Sequence, residues 1–275
     1  RLAVIGDSSA AGLGCETAEQ TPGALLAGSL ARELHRRVLL DVLAVVGARS
    51  ADLDAQVARA LAGKVDLAVL MVGANDVTHR VPPAAAARDL ARAVTTLRAA
   101  GASVVVGTCP DLGTVKPLWQ PLRSVARVVS RRTASAQTIA VVEAGGLSVS
   151  LGNLLGREFG ESPALWSADR FHPSAAGYAR VVDVLLPATL QALGVQVPGE
   201  RTDRDSVQDV ALAASVAAQD PGLVVETVKG VQGAAAAGPG RLARLVRRVP
   251  LVGRGAPEGR TPSEQAAAAD EAVPG

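Results

Sequence analysis

The sequence predicts an α/β fold with one parallel sheet of five strands and helices on both faces. Three observations carry this expectation. Five short aliphatic runs alternate with Ala/Leu/Arg-rich stretches of helical periodicity, the pattern of successive β–α units. The runs are near-continuously apolar rather than alternating, as strands buried on both faces are. The chain has 275 residues, 48% of them hydrophobic but only 2% aromatic, enough for one sizeable core built from Val, Leu and Ala.

The first strand is Leu2–Ile5. It breaks into Gly6-Asp7-Ser8-Ser9, so a buried strand ends in a tight turn that lifts a hydroxyl to the sheet rim. A helix over Pro22–Arg37 opens on a proline suited to a first turn. The second strand is Val38–Val46, and the helix after it, Ser50–Ala62, opens on an N-cap type. Leu67–Val72 is the third strand and Pro83–Ala100 its helix. Ser103–Gly107 is the fourth, followed by a helix over Pro117–Ala136. Thr138–Glu143 is the fifth, and Ser174–Leu193 is the last helix. These elements make a unit of residues 1–195, with right-handed crossovers. Residues 196–275 form an Ala/Gly/Pro/Arg-rich extension, partly helical or disordered. Within it Asp205–Ala218 reads as an amphipathic helix, and Arg241–Val252 as a cationic amphipathic patch, either a solvated helix face or flexible tail or a contact for an anionic membrane or envelope surface. Gly253–Gly275 reads as a disordered tail.

A net charge of +2 gives no whole-protein reason to expect nucleic-acid binding. No run of 18 or more apolar residues marks a transmembrane helix. The chain opens on Arg1 and enters a strand at once, so an N-terminal segment carrying an export signal is expected to precede this numbering. A monomer is expected. Cys15 and Cys109 both fall just past the carboxyl ends of strands. Two readings stand for them: free, part-buried thiols, or one disulfide bracing the rim. No His/Cys/carboxylate cluster has metal-ligand spacing, and the phosphate-loop motif is absent, so no metal or other cofactor is expected.

Chemistry concentrates at the carboxyl ends of the strands, where open α/β sheets place their sites. Ser8 is the candidate nucleophile, and a serine hydroxyl needs a base to take its proton. Of three histidines, His35 sits in a charged helix end and His79 follows the third strand as a substrate-rim candidate. His172 lies in Asp169-Arg170-Phe171-His172-Pro173-Ser174. Asp169, three residues upstream, reaches the imidazole and fixes its tautomer, leaving the other ring nitrogen to act as base. An oxyanion needs donors aimed at the developing charge. The Ser8 amide, Gly47 after the second strand and Asn75 after the third are the candidates. With strand order 2-1-3-4-5 these three groups come from adjacent strands. The fifth strand then lies roughly 14 Å from the first, and the segment after it must carry Asp169 and His172 back across the rim. Arg49, Trp119, Trp166 and Phe171 lie near these groups as rim or packing residues. The sequence Gly6-Asp7-Ser8-Ser9-Ala10 lacks the second glycine of the G-x-S-x-G elbow, which sets the α/β-hydrolase arrangement aside.

Gly6-Asp7-Ser8, Gly47, Gly73-Ala74-Asn75-Asp76 and Asp169-Arg170-Phe171-His172, in that order, resemble the four motif blocks of the SGNH hydrolases, the GDSL-type esterases and lipases. The resemblance spans Leu2 to about Leu193. It implies a flavodoxin-like three-layer α/β/α sandwich with sheet order 2-1-3-4-5, and hydrolysis of carboxylic esters or thioesters through an acyl-serine. Ser8 would be the nucleophile, His172 the base, Asp169 the orienting acid, and Ser8, Gly47 and Asn75 the oxyanion hole. Asp7 and Asp76 would bond loops. Ser9 stands where the family name has leucine. Gly107–Gly113 (GTCPDLG) and the DRFHPS ending look like the family's actinobacterial branch, whose members are commonly exported or tethered to the envelope, so the resemblance implies a secreted or envelope-associated protein, with a cytoplasmic one as the alternative. With few aromatics and no visible lid, the expected substrate is a small-molecule or glycolipid-like ester with a short to medium acyl chain. Acyl transfer to a sugar or glycerol-like acceptor is the alternative use of the same triad, and thioester hydrolysis another.

Overall fold

Two strands, β1 (Leu2–Gly6) and β3 (Leu67–Met71), are buried at every position, which is why neither sequence alternates with polar residues. The computed structural model that shows this describes residues 1–114, 119–152, 158–159, 162–195, 207–209, 214, 223–227 and 242–247. β1 is flanked in parallel by β3 and by β2 (Leu40–Val42). Then come β4 (Ser103–Gly107) and β5 (Leu147–Val149), giving the parallel order 2-1-3-4-5. The registers Gly6↔Met71 and Met71↔Gly107 set three strand ends side by side at one rim.

The helices form two outer layers. On one face, Leu26 and Leu30 of α2 (Pro22–Leu34) and Val182 and Leu185 of α7 (Ala175–Ala192) pack against Leu2, Val4 and Val69. On the other, Val57 of α3 (Leu53–Leu61), Leu90 and Leu97 of α5 (Pro83–Ala99) and Val141 of α6 (Leu122–Glu143) pack against Ala3, Ile5 and Leu70. Two short helices sit at the rim itself: α1 (Ser8–Ala11) after β1 and α4 (Ala74–Thr78) after β3.

Three sequence expectations need correction. Thr138–Glu143 is not the fifth strand but the last turns of α6. Its β-branched residues suggest a strand, yet the buried positions Ala134, Gln137, Thr138, Val141 and Val142 follow helical spacing. The helix ends before Gly145, in a left-handed conformation, and β5 starts at Leu147. The second strand is three residues long rather than nine. It lies at the sheet edge, and Leu39, Val42, Val45 and Val46 around it are exposed. Within the extension, Val207–Asp209 (β6) and Leu242–Arg247 (β8) are strands, as is Leu223–Thr227 (β7). β7 runs antiparallel to β5, β8 to β7 and β6 to β8. The open edge of β5 offers a hydrogen-bonding ladder that local helix propensity cannot see. The predicted tail Gly253–Gly275 lies outside the described residues.

Candidate active site

Ser8 is set in place by the residues around Gly6. Gly6 has φ +139°, and a Cβ there would collide with the Met71 carbonyl of the adjoining strand, so only glycine lets β1 and β3 close at this point. Buried Gln56 on α3 holds the same residue from the other side. Gly6 N–H donates to Gln56 Oε1 (2.8 Å), and Gln56 Nε2–H donates to Gly6 O (3.0 Å). Asp7 caps α1 by accepting from Ser9 N–H (2.9 Å). Ser8 is thus the first residue of a four-residue helix, 8% exposed at the rim. Burial pushes the Asp7 carboxyl up to about pH 6, against the opposing pull of the Ser9 amide and the nearby His172.

His172 comes back to the rim on a tight loop. Trp166 and Pro173 pair across it, and Ser167 N–H donates to His172 O (2.9 Å). Arg170 takes φ +55° at its tip, a conformation uncommon outside glycine. Asp169 Oδ1 accepts from Ser167 Oγ–H (2.7 Å), Phe171 N–H (2.8 Å) and His172 N–H (2.9 Å). Its Oδ2 accepts from His172 Nδ1–H (2.6 Å). Burial pushes the Asp169 carboxyl up, but the His172 side chain, these two amides and the Ser167 hydroxyl outweigh it and hold the group well below the usual carboxylate range. With its proton on Nδ1, the imidazole presents Nε2 to the hydroxyl, and Ser8 Oγ–H donates to it at 3.0 Å. Hydroxyl, imidazole and carboxylate therefore form a continuous hydrogen-bonded line, 164 residues apart in sequence at its first step.

The other rim loops are tied together beside this line. Asn75, on α4, donates from Nδ2 to Ala48 O (3.0 Å), joining the loop after β3 to the loop after β2. Gly47 precedes that carbonyl, with φ +84° and open space where a side chain would stand. Asp76 accepts from Ser50 N–H (3.1 Å) and Ser50 Oγ–H (2.8 Å), a second tie between the same loops. Among the remaining candidates, exposed His79 faces the Asn75 carbonyl through Nδ1 (2.8 Å). Arg49 faces Asp52 at 3.8 Å. Neither contact reaches Ser8 or His172. Trp119 is 85% exposed, whereas Trp166 is buried and donates to Phe159 O (2.7 Å). Phe171 stands edge-on to the His172 ring at 4.9 Å.

Two hollows meet at Phe171 and Leu112. One is a small cavity of about 40 Å³ beneath His172, with Asp7, Thr108, Leu151 and Tyr178 in its walls. The other is a groove of about 640 Å³, chiefly apolar, with Val77, Val81 and Ala126 in its walls. The disulfide reading fails, because both cysteines are free. Cys15 Sγ–H turns to Gln20 O (3.2 Å), while buried Cys109 lies under Gly73 with its N–H on Gln137 Oε1 (2.8 Å). Burial raises both thiols, Cys109 far more.

Sequence reasoning missed Gln56, Gln137 and Ser167. Ser167 has a local signal, a hydroxyl two residues before a turn aspartate. The two glutamines have none, since they act on backbone 50 and 28 residues away.

The profile of the GDSL-like lipase/acylhydrolase family matches residues 4–180. A GDSL-like esterase of Mycobacterium tuberculosis, Rv1075c, is 47% identical over 195 residues, covering 70% of this chain and 62% of that protein. The chain thus matches less than two thirds of the length of that curated relative. The crystal structure of TesA is 28% identical with a TM-score of 0.56, over 70% of this chain and 98% of that one. An Axe2 acetyl xylan esterase variant from Geobacillus stearothermophilus shares the fold at 20% identity, with a TM-score of 0.51 over 71% of this chain and 95% of that one. With the family profile spanning most of β1 through α7, the chain belongs to the GDSL-like lipase/acylhydrolase family of SGNH hydrolases.

Proposed function

We propose that this protein is a serine esterase that hydrolyses carboxylic esters through an acyl-serine intermediate. The observation that carries the reading is the line Ser8 Oγ–His172 Nε2–Asp169, at 3.0 and 2.6 Å. Its relatives include proteins described as a GDSL-like esterase and an acetyl xylan esterase. Ser8 Oγ attacks the acyl carbon as His172 Nε2 takes its proton. Asp169 keeps the imidazole in the required tautomer and stabilises the imidazolium that forms. The Ser8 N–H, Gly47 N–H and Asn75 Nδ2 receive the charge on the former carbonyl oxygen. His172 then gives its proton to the leaving alcohol, and a water molecule, deprotonated by the same nitrogen, releases the acid.

The apolar groove that begins at Phe171, beside His172, suits an acyl chain of short to medium length. The test is hydrolysis of p-nitrophenyl esters from acetate to palmitate by the wild type and Ser8→Ala. The reading expects turnover greatest at the short and medium chains, and loss of at least about 1,000-fold in the variant. Comparable rates from the two proteins would overturn it.

A further inference from the structure

The first half of α6 exposes what a helix of a soluble protein normally buries. Leu122 is 65% exposed, Val125 59% and Val128 48%, and Trp119 just before the helix is 85% exposed. Leu122, Val125 and Val128 recur at three-residue spacing and Arg132 follows four residues later, so all four lie along one side of the helix. Val128 and Arg132 face away from the buried residues Ser130, Thr133, Ala134 and Gln137, while Leu122 and Val125 stand in the turns before the first of them. It forms a contiguous apolar strip at the outer lip of the groove that leads to Phe171. Contiguous exposed apolar surface of this kind marks a contact site.

The charge around the strip identifies the partner. α6 carries four arginines, Arg123, Arg127, Arg131 and Arg132, and no acidic residue before Glu143. Arg80, exposed, stands on the opposite wall of the groove. Among the described residues, buried Asp111 faces Arg127 (3.5 Å) and Arg131 (3.0 Å). Arg132 is exposed with no ion pair among the described residues. Arg123 and Arg127 donate to Gly113 O (2.8 and 3.2 Å), so with Arg127 and Arg131 facing Asp111 the cations beside the strip are Arg132 and Arg80. An apolar strip with a large exposed aromatic residue and flanking arginines is the surface that seats in the headgroup layer of an anionic bilayer.

We propose that the outer face of α6, with Trp119, docks the protein on an anionic phospholipid membrane and turns the groove toward the lipid. The contact does not depend on the chemistry at Ser8. The test is co-sedimentation of the full chain with phosphatidylcholine vesicles, with and without phosphatidylglycerol. The variants are Leu122→Ser/Val125→Ser, Arg132→Glu, Ser8→Ala and Arg244→Gln/Arg247→Gln, each checked by thermal melting. The wild type is expected to sediment with the phosphatidylglycerol vesicles and to be released by salt. The apolar pair should weaken partition about tenfold, and Arg132→Glu at least about fivefold. Ser8→Ala should bind as the wild type does, so failure of the esterase reading leaves this result unchanged. Three outcomes overturn the proposal. The first is no partition of the wild type into anionic vesicles. The second is undiminished binding by either folded α6 variant, with loss confined to the Arg244/Arg247 variant. The third is self-association that the Leu122/Val125 variant abolishes while vesicles fail to bind.

Discussion

Asp7 carries a cost that can be measured as a function of pH. Its carboxyl is 2% exposed beneath His172, and burial raises its pKa from the ordinary 3.8 to about 6. That displacement is worth about 3 kcal/mol. Between pH 3.8 and about 6 the folded protein keeps a proton that the unfolded chain has released. Stability therefore falls as pH rises through this window, and the full cost is in place above it. Asp7→Asn removes the ionisation while keeping a side-chain oxygen for the Ser9 amide. Whatever the substitution costs structurally, the Asn variant should gain about 2.5 kcal/mol on the wild type between pH 4 and pH 7.5, a small part of the cost being in place already at pH 4. Urea unfolding of both proteins at the two pH values reads this difference directly. A gap between them that stays constant with pH would refute the reasoning, because Asp7 would then ionise alike in the folded and unfolded states.

Other consequences follow from the same rim. In the proposed mechanism Asn75 is an oxyanion donor, so Asn75→Ala should lower kcat about 100-fold on an activated ester with little change in KM; a near-neutral kcat would make Asn75 only the tie to Ala48. Gln56→Ala leaves both the N–H and the C=O of Gly6 without their partners, so urea unfolding should show a loss of about 2–4 kcal/mol. Gly6→Ala combines φ +139° with a collision against the Met71 carbonyl. It should cost more than about 3 kcal/mol, visible as a collapse of soluble yield or melting temperature. A Gly6→Ala protein that melts with the wild type would mean that β1 and β3 do not close as described.

The parts legible in the sequence were those whose signal is local. The buried β1 and β3, the glycine break before Ser8, and Asp169 three residues from His172 each advertise themselves within a few positions. Thr138–Glu143 misled because a β-branched run fits both a buried strand and a buried helix face, and only the packing of α6 on α5 and the sheet decides between them. The strands of the extension were hidden for the complementary reason: β7 exists as an edge added to β5, so its partners lie far off in sequence, Ser148 opposite Val225 and Val149 opposite Val224. Gln56 belongs to the same class, a buried amide whose whole role is to satisfy backbone far off in sequence.

The central claim is that Ser8 forms a covalent acyl intermediate with His172 as its base. The direct measurement is intact-protein and peptide mass spectrometry after reaction with a fluorophosphonate. The account predicts one adduct per chain, mapped to Ser8, absent in Ser8→Ala and formed far more slowly in His172→Ala. An adduct on another residue, or a wild type that turns over esters yet resists the reagent, would contradict it.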